Sequence, residues 1–194
     1  MLYNKIIEIN NLNYMRIIVG LGNPGDQYQK NRHNVGFMAL DLLLGDVKWQ
    51  LSKKFNALTY EAGDCIYLKP QTFMNNSGQS VQAILSYYGL MPKSLGLFNK
   101  KDADLSDVLT IVHDDIDIEV GKWKIAIDSR SGGNNGVQSI INHLKTKNFR
   151  RIKIGVKNDL IRTRIPVEKF VLQNFNAEEK DIIKNVLAEA IKSL

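Results

Sequence analysis

A short apolar run, Arg16-Ile-Ile-Val-Gly20, leads directly into Gly20-Leu-Gly-Asn-Pro-Gly25, and few folds accept that junction. The run reads as a strand that is buried in a sheet rather than exposed at its edge. The glycines permit a tight turn and close backbone approach at the strand's end. Pro24 biases Asn23 away from helical geometry. Tyr28 and Asn31-Arg-His-Asn34 follow before an apolar helical pattern begins at Val35. Asn23, His33 and Asn34 therefore collect just beyond a strand end, which suits a reaction site better than a cofactor cradle.

Along the rest of the chain the periodicities alternate. Val35–Leu44 reads as an amphipathic helix with Val35, Leu40, Leu43 and Leu44 available to a core. Ala57–Tyr60 and Cys65–Leu68, separated by Glu-Ala-Gly-Asp, read as a hairpin. Ser77–Tyr88 is helical and closed by Gly89, Val108–His113 is a buried strand, and Lys122–Ile127 alternates as a strand does. Gly136–Leu144 reads as a helix after a glycine-rich loop, Arg151–Val156 as a strand, and Ala177–Ser193 as a terminal amphipathic helix. The polar stretch Pro92–Ser106 reads as a surface loop. This order predicts an α/β fold: one domain with a mixed, mostly parallel β-sheet packed between α-helices.

That domain spans residues 15–194, and residues 1–14 are expected to be a dispensable N-terminal extension, with Met15 an alternative start. At 194 residues and 44% hydrophobic content, the chain can bury one core. No run approaches the roughly 18 apolar residues of a membrane span. The first fourteen residues have neither the apolar centre nor the cleavage site of a signal peptide. The lone Cys65 excludes an internal disulfide framework and any multi-cysteine metal site, and points to the cytoplasm.

The net charge of +6 is unevenly spread. Lys145, Lys147, Arg150, Arg151, Lys153, Lys157, Arg162 and Arg164 face only Asp159 in their stretch, whereas Lys100 to Glu119 is rich in aspartate. Such a basic run fits a phosphate-rich polyanion, or equally an ordinary solvated face.

Three further polar clusters sit at predicted strand ends. Thr72-Phe-Met-Asn75 precedes a helix, where Asn75 also suits a turn. His113-Asp-Asp-Ile-Asp117 follows a buried strand, and a carboxylate there can fix an imidazole's tautomer. Its alternatives are an acidic turn or a weak divalent-cation site. Ser131-Gly-Gly-Asn-Asn-Gly136 opens a helix and offers backbone N–H groups together with side-chain amides. A histidine and an aspartate without a side-chain nucleophile point to general-base activation of water. Asparagine amides can orient an ester or amide and stabilise its oxyanion.

In this order, Gly20–Gly25 with Tyr28 and Arg32-His-Asn34, Thr72–Asn75, His113-Asp-Asp115 and Gly132–Gly136 resemble the motifs of the bacterial peptidyl-tRNA hydrolases. That family cleaves the ester joining a peptide to the ribose of tRNA, and the resemblance runs from about Arg16 almost to the C-terminus. It implies His33 as the general base and Asp114 as the carboxylate that supports it. It implies Asn23 and Asn75 as amides binding the peptide backbone, Asn135 as a positioner of water and the tRNA end, Tyr28 near the terminal nucleotide, and Met74 lining the peptide groove. Lys153 falls where many members place an arginine on tRNA phosphate, and lysine keeps the charge but not the bidentate fork. The resemblance also implies no metal and no organic cofactor, peptidyl-tRNA as the partner, no membrane, and a monomer.

The chain departs from the family pattern at Asn134, where histidine is usual, and at Ala126, where a basic residue is usual. Ser129-Arg130-Ser131 replaces a Gly-Ser-Ala run, and Lys124 is kept. These departures are expected to affect tRNA binding and to leave the hydrolytic centre intact.

Two other readings fail or rank lower. Gly20-x-Gly22-x-x-Gly25 formally matches a dinucleotide fingerprint, but Pro24 and the polar run Asp26–Asn34 delay the helix, and Asp41 and Asp46 do not end a second strand. A binding-only relative would have lost His33 or Asp114, and both are present.

Overall fold

Strand β1 (Arg16–Gly20) turns Ile17 and Val19 to one face of a sheet and Ile18 to the other, all three buried. A strand covered on both sides needs helices above and below, and the rest of the chain supplies them. The computed structural model describes residues 15–94, 98–158 and 165–194; the expected extension, residues 1–14, lies outside them, as do Asp159, Arg162 and Arg164.

The other sheet strands are β2 (Gln50–Ser52), β3 (Ala57–Ala62) and β4 (Cys65–Pro70). A small separate pair, β5 (Lys93–Ser94) and β6 (Phe98–Asn99), precedes β7 (Leu109–Glu119), β8 (Trp123–Ala126) and β9 (Arg150–Lys157). The main sheet runs β2-β3-β4-β1-β7-β9-β8. Its centre, β4-β1-β7-β9, is parallel, and the flanking strands pair antiparallel.

Helices α2 (Ser77–Tyr87) and α3 (Asn135–Leu144) cover one face, burying Val81, Ile84, Val137 and Ile140 with Val19, Leu68 and Ile111. Helices α1 (Val35–Leu44), α4 (Val167–Val171) and α5 (Ala177–Ala190) cover the other, burying Ala39, Phe170, Ile183 and Leu187 against Val112, Ile152 and Ile154. Each of these side chains larger than alanine contributes about 1.5–3 kcal/mol by leaving water. Asn176 and Glu179 form a reciprocal capping box that starts α5.

The chain passes from β1 to β4 on one side, then crosses back over β1 to β7. The carboxyl ends of β1 and β7 therefore flank a crevice between connections that leave in opposite directions, the usual ligand position in open α/β sheets.

The expected elements are present: β1 has its expected bounds, β3, β4, β7 and β9 run longer than expected, and β8 is shorter. One expectation is corrected: Asp114 and Asp115 lie within β7, not beyond its end, because β7 stays paired with β9 as far as Asp115 opposite Gly155. Their carboxylates tolerate this because each finds a partner, as described below. In α1, Leu43 and Leu44 are only half-buried, while Val35, Gly36, Ala39 and Leu40 face the core. The stretch Pro92–Ser106 is more than a surface loop: besides β5 and β6 it places Ala103 and Leu105 in the interior, each 1% exposed.

Helix α1 meets the sheet at glycine. A Cβ on Gly36 would fall inside contact distance of the Val112 carbonyl and the Leu21 nitrogen, and one on Gly20 would strike the Gly36 carbonyl. The substitution Gly36→Ala is expected to cost at least about 3 kcal/mol, because neither backbone can give way. Urea unfolding checks this, and an unchanged midpoint would contradict it.

Candidate active site

His33 comes from a single 3-10 turn, Arg32–Asn34, just ahead of α1. Two anchors hold that turn. The Arg32 N–H donates to the Gln173 carbonyl at 3.0 Å, and the Arg32 guanidinium, 2% exposed, bonds Glu179 at 2.6 Å and lies over the rings of Phe170 and Phe175. Burial pushes the Glu179 carboxyl up, but the bonds from Arg32, the Asn176 backbone and Asn158 outweigh it and hold it below its ordinary value. A buried ion pair with ring stacking and a cap bond resists displacement.

Asp114 reaches His33 from mid-strand. The His33 Nδ1 stands 2.9 Å from Oδ1 and 3.0 Å from Oδ2 of a carboxylate that is 2% exposed. Burial pulls the imidazolium down, yet the charge of Asp114 and its hydrogen bond outweigh burial, so the His33 pKa stands above the ordinary 6.5. With Nδ1 engaged by a carboxylate, Nε2 is the nitrogen left for an incoming group. The ring, Asp114, Asn134, Asn135, Gly132 and Gly133 line a pocket of about 90 Å³, closed on its far side by Val167, Glu168 and Val171 of α4.

Asn134 contributes directly here. Its Nδ2 donates to Asp114 Oδ1 at 2.8 Å, while its Oδ1 accepts the Val137 N–H at 3.1 Å and caps α3. The loop bends into this position through Gly132 and Gly133, whose φ values of 61° and 82° suit glycine.

The neighbouring Asn23 is locked by Asn34. The Asn23 N–H donates to Asn34 Oδ1, and Asn34 Nδ2 returns a bond to the Asn23 carbonyl, both at 2.9 Å. Asn23 Oδ1 accepts the Met74 N–H at 2.9 Å, joining the glycine loop to the turn Met74–Asn76 that carries the exposed Asn75. Asn23 and Asn34 line a second cavity of about 580 Å³ that extends to Lys69 and Gln71. Tyr28, half-buried, meets Phe73 edge-on at 6.3 Å.

A Peptidyl-tRNA hydrolase family model matches residues 17–194. The chain belongs to the peptidyl-tRNA hydrolase family. It is 40% identical over 185 residues to the peptidyl-tRNA hydrolase of Lactococcus lactis subsp. lactis, covering 92% of this chain and 90% of that protein. It is 39% identical over 181 residues to that of Mycoplasmopsis pulmonis, covering 93% and 88%. A crystal structure of peptidyl-tRNA hydrolase from Acinetobacter baumannii superposes with a TM-score of 0.75 at 29% identity, covering 92% of this chain and 86% of that one.

Within this peptidyl-tRNA hydrolase fold, His33, Asp114 and Asn135 share one pocket and Asn23 lines the larger cavity, whereas Asn75 stands exposed on the turn beside Met74 and Tyr28 packs on Phe73, neither of them lining it. Met74 is 3% exposed, its side chain packed in the core under α2 and α3 and its N–H bound by Asn23. Lys153 is 8% exposed and bonds Asp115 at 2.7 Å, whereas a phosphate contact needs an accessible cation. Burial pushes the Asp115 carboxyl up, but Lys153 and the Asp117 N–H hold it below its ordinary value. His113 is wholly enclosed on the same face, and burial pushes its pKa down to about 4. Arg151 is likewise internal: it stacks on Phe149 and bonds Ser129, the Arg130 carbonyl and the Lys147 carbonyl, holding the loop before the glycines. The basic run thus divides, with Lys145, Lys147 and Lys157 on the surface and Arg151 and Lys153 used inside.

Sequence reading missed the tether from Asn134, the lock from Asn34, the Arg32–Glu179 anchor and α4. The first two lie in motifs that were noticed, but nothing in spacing links Arg32 to a glutamate 147 residues away. Helix α4 has five residues, too few to show a period.

The Asp114→Asn variant should lower the His33 pKa below 6.5, because burial would then act with no carboxylate charge to oppose it. An NMR titration of the ring checks this, and an unmoved midpoint would contradict the pairing.

Proposed function

We propose that this peptidyl-tRNA hydrolase cleaves its ester with one activated water, His33 being the general base. The supporting observation is the buried Nδ1–Asp114 pair, which fixes the proton-bearing nitrogen and leaves Nε2 to the pocket. Water attacks the ester carbonyl as Nε2 takes its proton. The tetrahedral intermediate collapses with rupture of the carbonyl carbon–ribose oxygen bond. The imidazolium returns the proton to the ribose oxygen, and the products are a peptide acid and an intact tRNA. A ribose hydroxyl leaves more readily than an amine, so no covalent intermediate is required.

On this reading Asn135 on the pocket wall, Asn23 in the larger cavity and the exposed Asn75 on the neighbouring turn hold the peptide backbone and steady the developing oxyanion. Recognition through backbone groups suits a substrate whose peptide varies. Tyr28, next to Phe73, offers a ring to a terminal base. All of these residues come from one chain, and among the described residues no helix is long and apolar enough to cross a membrane. The family resemblance adds to this reading a monomer acting on peptidyl-tRNA in the cytoplasm.

The His33→Ala variant should lose about a thousandfold in turnover of an N-acetylated aminoacyl-tRNA while keeping its affinity for tRNA. Peptide release and a filter-binding titration check the two halves. Retained turnover would remove His33 from the role of base.

A further inference from the structure

We infer that Asn134 is a positioning residue of the reaction, holding the Asp114 carboxylate in the orientation that His33 requires. This rests on the general-base reading given above.

The amide is installed with no ambiguity of direction. Its oxygen must accept, because it caps the Val137 N–H, so its nitrogen must donate, and Asp114 Oδ1 lies 2.8 Å away. The same nitrogen lies 3.3 Å from the Asp114 carbonyl, so one side chain spans the backbone and the carboxylate of one residue. Asn134 is 7% exposed and Asp114 2%, which leaves little access for water to replace the donor. Oδ1 is also the oxygen closest to His33 Nδ1, at 2.9 Å. Without the amide, the carboxylate is free to turn about its own side-chain bonds, away from the ring.

The charged surroundings are few. Asp114 faces the ring from β7, and Glu168 of α4 lines the far side of the pocket. Arg32, beside His33 in the chain, is turned into Glu179 behind it. His113, Asp115 and Lys153 alternate onto the opposite face of the sheet, and the loop Gly132–Gly133–Asn134–Asn135 brings no ionisable side chain. A change at residue 134 therefore reaches His33 chiefly through Asp114.

Two variants keep the helix cap and change only the tether. Serine accepts from the Val137 N–H but is too short to donate to Asp114, and aspartate caps well but presents a second carboxylate. In Asn134→Ser, kcat should fall about tenfold with KM within about twofold, the cost of losing a hydrogen bond to a charged group. Its His33 titration, read by NMR, should move down as the carboxylate's hold loosens. In Asn134→Asp that titration should move up, and the acidic limb of kcat/KM with it. Shifts in opposite directions are the signature, since a role confined to the cap would alter Tm alone. Folded variants with the wild-type kcat and His33 titration would overturn the inference. Loss of the His33 limb in the wild type itself would instead remove the general-base reading on which it rests.

Discussion

A carboxylate buried in the middle of a strand is costly unless each of its oxygens is occupied, and Asp114 meets that condition only in the native arrangement. Its partners come from both directions of the chain: His33, 81 residues before it, and Asn134, 20 residues after it. Neither contact exists until β1 and β7 lie side by side and both the 3-10 turn and the glycine loop reach the same end of the sheet. The pair therefore couples the assembly of the parallel centre to the assembly of the site. The same contact raises the basicity of the ring that the proposed chemistry uses.

Around this centre the scaffold limits motion. The His33 turn is held by Arg32 and Glu179 on one side and by close glycine packing of α1 on the other. Asn23 is fixed through Asn34, the residue next to His33 in the same turn. Side chains held in this way are preorganised, so under the proposed function little has to rearrange when substrate arrives. Helix α4 is the exception among the walls, being short and joined to the rest mainly through Phe170 and the backbone near Gln173.

Much of this was legible in the sequence, for physical reasons. Burial on both sides makes β1, β7 and β9 read as apolar runs, and the 3.6-residue period exposes α2, α3 and α5. His33 stood out just ahead of an apolar helical run and Asp114 just after an apolar strand, because titratable groups are poor core material. The mid-strand position of Asp114 was hidden, since an acidic run resembles a turn until Lys153, Asn134 and His33 are seen to satisfy it. Asn134 looked like a departure that concerned tRNA, yet it bonds Asp114 in the pocket that holds His33. Lys153 looked like a surface cation, but its counter-ion Asp115 sits on the neighbouring strand, a pairing that only the β7–β9 register reveals.

The most direct test of the account is single-turnover hydrolysis of an N-acetylated aminoacyl-tRNA by the unmodified protein, from about pH 5 to about pH 9. A buried His33 paired with Asp114 should give a rate that rises through one ionisation with its midpoint above 6.5, matching the ring's own NMR titration. A rate that is flat through that range, or one whose midpoint differs from the ring's, would show that another group activates the water.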